Sequence, residues 1–187
     1  EMSASLVGSE MCIRDSDQFY IEEDGHKYMF WGSFRGIWAI ELADDGLSLK
    51  PGAGKRKIAG DQYEGTYIHK RDGYYYLIVS TGDFMKDYHV VVGRSRSLMG
   101  PYVDRAGRDM LGVHHELVVG NGNGFVAPGH NAEFITDDKG QDWMLYHTRL
   151  EVGGPRYLLL DRIEWNDGWP EVRGHVPARS AEAPVFE

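Results

Sequence analysis

Short apolar runs alternate along the chain with polar, glycine-bearing breaks, and no stretch carries an apolar stripe at helical spacing. Three segments share one plan, a strand, a tight polar turn with glycine, then an aromatic strand: FYIEEDGHKYMFW (19–31), YIHKRDGYYYLIVS (67–80) and FITDDKGQDWMLYH (134–147). Their turn glycines are Gly25, Gly73 and Gly140. Asp-Gly and Lys-Gly between β-rich runs predict hairpins, because glycine reaches positive φ without steric cost. One or two further strands follow each hairpin, in RGIWAIEL (35–42), YHVVVGRS (88–95) and RYLLLDRIEW (156–165). The chain therefore reads as three antiparallel meanders of about four strands each. Their turn glycines stand 48 and 67 residues apart, a spacing that fits β-propeller blades with insertions. Propellers carry about four to eight blades, so three of them read as the later part of a larger ring.

The two ends break this plan. Residues 1–16 (EMSASLVGSEMCIRDS) show neither strand alternation nor a helical stripe, and LVGSEMCIRDS resembles translated adapter sequence. Native protein is expected to begin near Asp17, with the upstream blades missing and turnover by the chain alone not expected. Residues 173–187 are rich in Pro and Ala without periodicity and read as a tail or linker, which leaves 17–172 as the propeller portion.

Composition narrows the partners. The 187 residues suit one domain, or a domain with part of another. Twenty-four Gly with 11 Tyr, 7 Phe and 5 Trp favour turns between aromatic strands, an all-β fold. A net charge of −9 repels phosphate backbones and argues against nucleic acid. No apolar run reaches the roughly 18 residues of a membrane-spanning helix. The single cysteine, Cys12, excludes an internal disulfide and a Cys-based zinc site. GRSRS (93–97) lacks the closing glycine of a nucleophile elbow, and GNGNG (120–124) is not followed by a helix.

Aligning the repeats by their turn glycines locates equivalent strand starts at Ser16, Glu64 and His130. The innermost strands of a propeller run the same way along the channel, so Glu64 and His130 are expected at one mouth. Glu64 is a candidate general acid, or else a solvated residue at a strand start. Gly65 after it would let a ligand or another chain approach closely. His130 is open to three readings: metal ligand, substrate contact, or a histidine satisfied by backbone groups. Trp31, Phe34, Trp38, Tyr63 and Tyr67 either stack on sugar rings or fill the wedges between blades.

YEGTYIHKRDGYYYLIVS, VVVGRSRSLMGPYVD, APGHNAEF, RYLLLDRIEWNDGWP and FWGSFRGIWAIEL, in that company, closely resemble motifs of glycoside hydrolase family 43, above all its arabinan-degrading members. The resemblance covers about residues 17–172. It implies a five-bladed β-propeller of which this chain holds about the last three blades, and an inverting hydrolysis of O-glycosidic bonds in arabinan or arabinoxylan. It further implies Glu64 as general acid, Arg156 as a substrate contact, and His130 beside a water-coordinated cation such as Ca²⁺; of the aromatics, Phe34 and Tyr67 are the ones expected to meet the sugar. No organic cofactor is expected. The implied partner is a plant cell-wall polysaccharide or oligosaccharide, met in a secreted or periplasmic setting. The alternatives are a β-xylosidase or exo-α-L-arabinofuranosidase on the same fold, or a non-catalytic carbohydrate-binding propeller. The base aspartate belongs to the first blade, absent here. The aspartate that tunes the acid falls on Ser16, flanked by Asp15 and Asp17, neither of which matches it.

Overall fold

A computed structural model describes residues 17–187; the adapter-like segment 1–16 lies outside the described residues. Every strand predicted from the repeats is present. The first sheet is a meander of β1 (Phe19–Glu23), β2 (His26–Trp31), β3 (Ile37–Leu42) and β4 (Arg56–Ala59). The second follows the same order with β5 (Glu64–Arg71), β6 (Tyr74–Thr81), β7 (His89–Ser95) and β8 (Glu116–Val119). The turns at Asp24-Gly25 and Asp72-Gly73 hold both central residues at positive φ, the backbone of a type I′ hairpin.

The third sheet departs from the simple meander. Its inner strand is broken into β9 (Val126–Gly129) and β10 (Ile135–Thr136), which pair with different ends of β11 (Asp142–Arg149). β12 (Tyr157–Arg162) continues on the other side of β11. Its hairpin is not an Asp-Gly turn but a wider loop closed by Asp137, whose Oδ1 accepts from the N–H groups of Lys139 and Gln141 at 3.0 and 2.9 Å. A separate hairpin, β13 (Glu164–Asn166) and β14 (Trp169–Glu171), turns at Asp167-Gly168, again with both φ positive. The 173–187 stretch holds a 3-10 turn at Arg173–His175. Farther on, the Val185 carbonyl accepts from the Asp138 N–H at 3.0 Å, and the Val185 N–H donates to Asp137 Oδ2 at 3.3 Å, at the turn between β10 and β11.

The middle sheet is buried on both faces. Ile68, Leu77, Val79 and Val91 pack with Phe30, Ile37 and Ala39 of the first sheet. Tyr67, Tyr76, Ile78, Val90 and Val92 pack with Met144 and Tyr146 of the third. Successive strand residues point to opposite faces, so two cores demand apolar residues at every position. That is why β6 reads YYYLIVST without alternation.

Candidate active site

The site begins with a defect in β5. Glu64 pairs with Ser80, but the next register pair is Tyr67 with Ile78, so one extra residue is accommodated at Gly65-Thr66. Gly65 sits at φ 71°, the left-handed geometry a glycine bulge uses to re-aim its neighbour. A methyl group on Gly65 would meet His130 at an ordinary 3.7 Å. The glycine therefore serves backbone conformation rather than the close approach expected from sequence.

The loop between β2 and β3 supplies the next pieces. Gly32 and Gly36 have positive φ, and a Cβ on Gly32 would lie 2.1 Å from the Gly36 carbonyl oxygen, so the loop doubles back tightly. It carries Ser33, which bridges to Glu64 and donates from Oγ to Glu64 Oε2 at 2.8 Å. Phe34 follows at φ 50°, a rare conformation for a bulky residue, with its N–H on the Tyr63 carbonyl at 2.9 Å. Its ring is exposed at the mouth.

The other oxygen of Glu64 accepts from the Tyr88 hydroxyl, so the buried carboxyl is held by a hydroxyl on each side. His130 stands at the break between β9 and β10, at φ 52°. Its N–H donates to Ser80 Oγ at 2.8 Å, and its ring stacks on His147 with centroids 6.3 Å apart. Asp17 joins them: Oδ2 accepts from the Gly65 N–H at 3.2 Å and Oδ1 lies 3.7 Å from His130 Nε2. Sequence register points one residue earlier, to Ser16, outside the described residues; the carboxylate found at this mouth is that of Asp17. Arg156 is exposed, and its charge acts on the His147 ring.

One expected sugar contact is corrected. Tyr67 is buried, with its ring edge-on to Phe19 at 5.7 Å and Phe134 at 5.4 Å, and its hydroxyl bonded to His69 Nδ1 at 3.0 Å. It fills the wedge between the second and third sheets, out of reach of a saccharide. Tyr63 is likewise fully buried, and Trp38 is overlaid by Lys55 and Lys57 instead. Sequence reasoning missed Ser33, Tyr88, His147 and Arg149. Arg149 is buried and ties the Phe84-Met85 loop to Gly154 at the rim.

A cation gripped directly by protein needs several ligands, and among the described residues no three His, Cys, Asp or Glu side chains stand close enough to share one. Around His130, however, Thr66 Oγ1, Asn131 Oδ1 and His147 Nδ1 are buried polar atoms without a protein partner among the described residues. Such atoms are met by ordered water, and the set fits an ion in its hydration shell rather than a cage of side chains.

Burial, reinforced by His89, holds the His115 imidazole at about 4. Burial and then the Arg156 charge do the same for His147, again at about 4. The ordinary value is roughly 6.5, so between these limits the unfolded chain binds protons that the folded chain refuses. Stability from the neutral rings is complete above about pH 6.5 and is lost as pH falls toward 4. Urea midpoints should fall across that window. His115→Gln, which keeps a partner for the Tyr63 hydroxyl now 2.9 Å from Nδ1 but cannot titrate, should flatten the slope; an unchanged slope would assign the acid sensitivity to other groups.

The model of the glycosyl hydrolases family 43 matches residues 9–170 of the chain. The chain belongs to that family. An extracellular endo-α-(1→5)-L-arabinanase of Thermotoga petrophila is 33% identical over 187 aligned residues, spanning 83% of this chain and 40% of that protein. An extracellular exo-α-(1→5)-L-arabinofuranosidase of Cellvibrio japonicus is 33% identical over 173, spanning 81% and 49%. The family 43 chain thus covers less than half the length of either relative. In three dimensions it matches a Cellvibrio cellulosa α-L-arabinanase complexed with arabinohexaose, at TM-score 0.73 and 29% identity over 82% of this chain and 55% of that one. The all-β, partial-propeller architecture follows from that match and the open row of sheets.

Proposed function

We propose that the protein containing this chain is a secreted glycosidase of α-1,5-linked arabinan, with Glu64 as the general acid of an inverting hydrolysis. The observation that carries this is the buried Glu64 carboxyl, re-aimed by a bulge and held between Ser33 and Tyr88, in a chain whose relatives are named as arabinan-cleaving and extracellular. In this reading the protonated carboxyl donates to the departing glycosidic oxygen as the bond to the anomeric carbon breaks. Water adds from the opposite face, its proton taken by a second carboxylate. Phe34 offers an apolar face to a sugar ring, and Arg156 reaches the substrate from the rim. A hydrated Ca²⁺ facing His130 would supply positive charge at the mouth.

Debranched arabinan, incubated with the full-length protein, should yield new reducing ends with inversion seen by NMR. Long products mark endo action and single arabinose units exo action, while cleavage of xylosides but not of arabinan would overturn the substrate. His130→Asn tests the mouth separately. The side chain is 44% exposed, and asparagine tolerates the positive φ, so melting should move little while activity drops at least tenfold. A large melting shift with intact activity would return His130 to a purely structural role.

A further inference from the structure

We propose that Tyr88 is the positioning residue of the acid, the donor that pins one oxygen of Glu64 and leaves the other to carry the transferable proton. This rests on the reading of Glu64 as proton donor. From the third sheet the His130 N–H donates to Ser80 Oγ at 2.8 Å. Ser80 stands close enough to the Tyr88 hydroxyl to act on it. Tyr88 in turn donates to Glu64 Oε1.

The ring of Tyr88 has no freedom to leave this line. It is 1% exposed. An added Cβ on Gly129 would lie 2.1 Å from Tyr88 Cδ1 and 2.2 Å from Cε1, so the ring rests flush against a backbone that only glycine provides. The His147 imidazole lies nearly parallel to it, 12° between planes and 5.8 Å between centroids. Gly129 and His147 are cross-strand partners in the third sheet, so the docking of that sheet on the second sets where the phenol points. Burial, and next the bond to Glu64, push the Tyr88 hydroxyl far above its usual range, and it remains a donor throughout turnover.

The consequence is a division of labour between the carboxyl oxygens. Oε1 is committed to Tyr88. Oε2 faces Ser33, whose hydroxyl turns between donating and accepting. The proton passes from Oε2 to the glycosidic oxygen as the C–O bond breaks, and Glu64 is left as a carboxylate with Tyr88 already donating to it.

The test compares Tyr88→Phe, Ser80→Ala and Glu64→Gln with the parent in the full-length protein, on debranched arabinan and on an aryl arabinoside with a good leaving group. Phenylalanine keeps the packed ring and removes only the hydroxyl. On arabinan kcat should fall roughly ten- to hundredfold with KM little changed, as for one hydrogen bond to a charged group. The loss should be several-fold smaller on the aryl substrate, which needs little protonation. Ser80→Ala should show the same pattern more weakly, and it stands in if Tyr88→Phe folds poorly. Equal losses on both substrates, or parental kcat for both variants beside an inactive Glu64→Gln, would overturn the positioning role. Parental activity of Glu64→Gln would instead remove the reading of Glu64 itself.

Discussion

Glu64→Gln in the full-length protein should lower kcat on arabinan by about 10²–10⁴-fold, the usual worth of general acid catalysis. Glutamine keeps the length of the side chain, its carbonyl oxygen can accept from the Tyr88 hydroxyl, and its amide N–H can donate to Ser33 Oγ once that hydroxyl turns, so the bulge at Gly65 and the pairing with Ser80 should survive. What is lost is a transferable carboxylic proton. The deficit should therefore shrink on aryl substrates whose departing oxygen needs no proton, while the melting temperature stays near the parental one. Parental turnover of arabinan by this variant would reduce Glu64 to a polar residue at a strand start; binding of arabinan without turnover by the parent itself would favour the carbohydrate-binding alternative.

The largest loss of stability is expected at Asp142→Ala. Asp142 is buried at the start of β11. Its Oδ2 accepts from Arg71 Nη1 at 2.9 Å and Trp165 Nε1 at 2.8 Å, and its Oδ1 accepts from Thr136 Oγ1 at 2.6 Å. One carboxylate thereby joins the end of β5 in the second sheet to β10 and β13 beyond it. Alanine leaves a guanidinium, an indole N–H and a hydroxyl without their acceptor, and removing one partner of a buried ion pair costs about 3–5 kcal/mol. Arg71 is partly exposed and can turn to water, which places the expectation toward the lower end. For a chain of this size each kcal/mol moves the melting point about 2–4 °C, so a drop on the order of 10 °C is expected. Asp142→Asn, which retains an acceptor, should lose much less; equal losses in the two variants would show that shape rather than charge holds this junction.

How far the sequence reaches is clear from particular residues. The hairpins at Asp24-Gly25 and Asp72-Gly73 were legible because two adjacent residues fix their own backbone, and Asp167-Gly168 carried the same signal outside the three repeats. Glu64 and His130 were brought to one mouth by repeat register alone, and the structure has His130 beside Gly65. The limits are equally local. Register pointed to Ser16 where Asp17 does the contacting. Tyr67 was expected among the sugar contacts, yet the extra residue at Gly65-Thr66 turns it to the same sheet face as Glu64, one ladder pair deeper, where Phe134 of the third sheet covers it. Nothing near Tyr88 in the chain announces that its hydroxyl meets Glu64, or that Gly129 and His147 hold its ring.

By itself, then, the sequence determined the strands, their turns, the all-β class and the family, since these depend on short-range backbone preference and on motifs read in order. Only the tertiary structure decided which oxygen of Glu64 is held by which hydroxyl, that Asp17 stands against Gly65, and that Tyr67 belongs to the core. Those outcomes depend on a one-residue bulge and on the packing of one sheet against the next, where residues far apart in the chain meet and side chains next to one another in sequence face opposite ways.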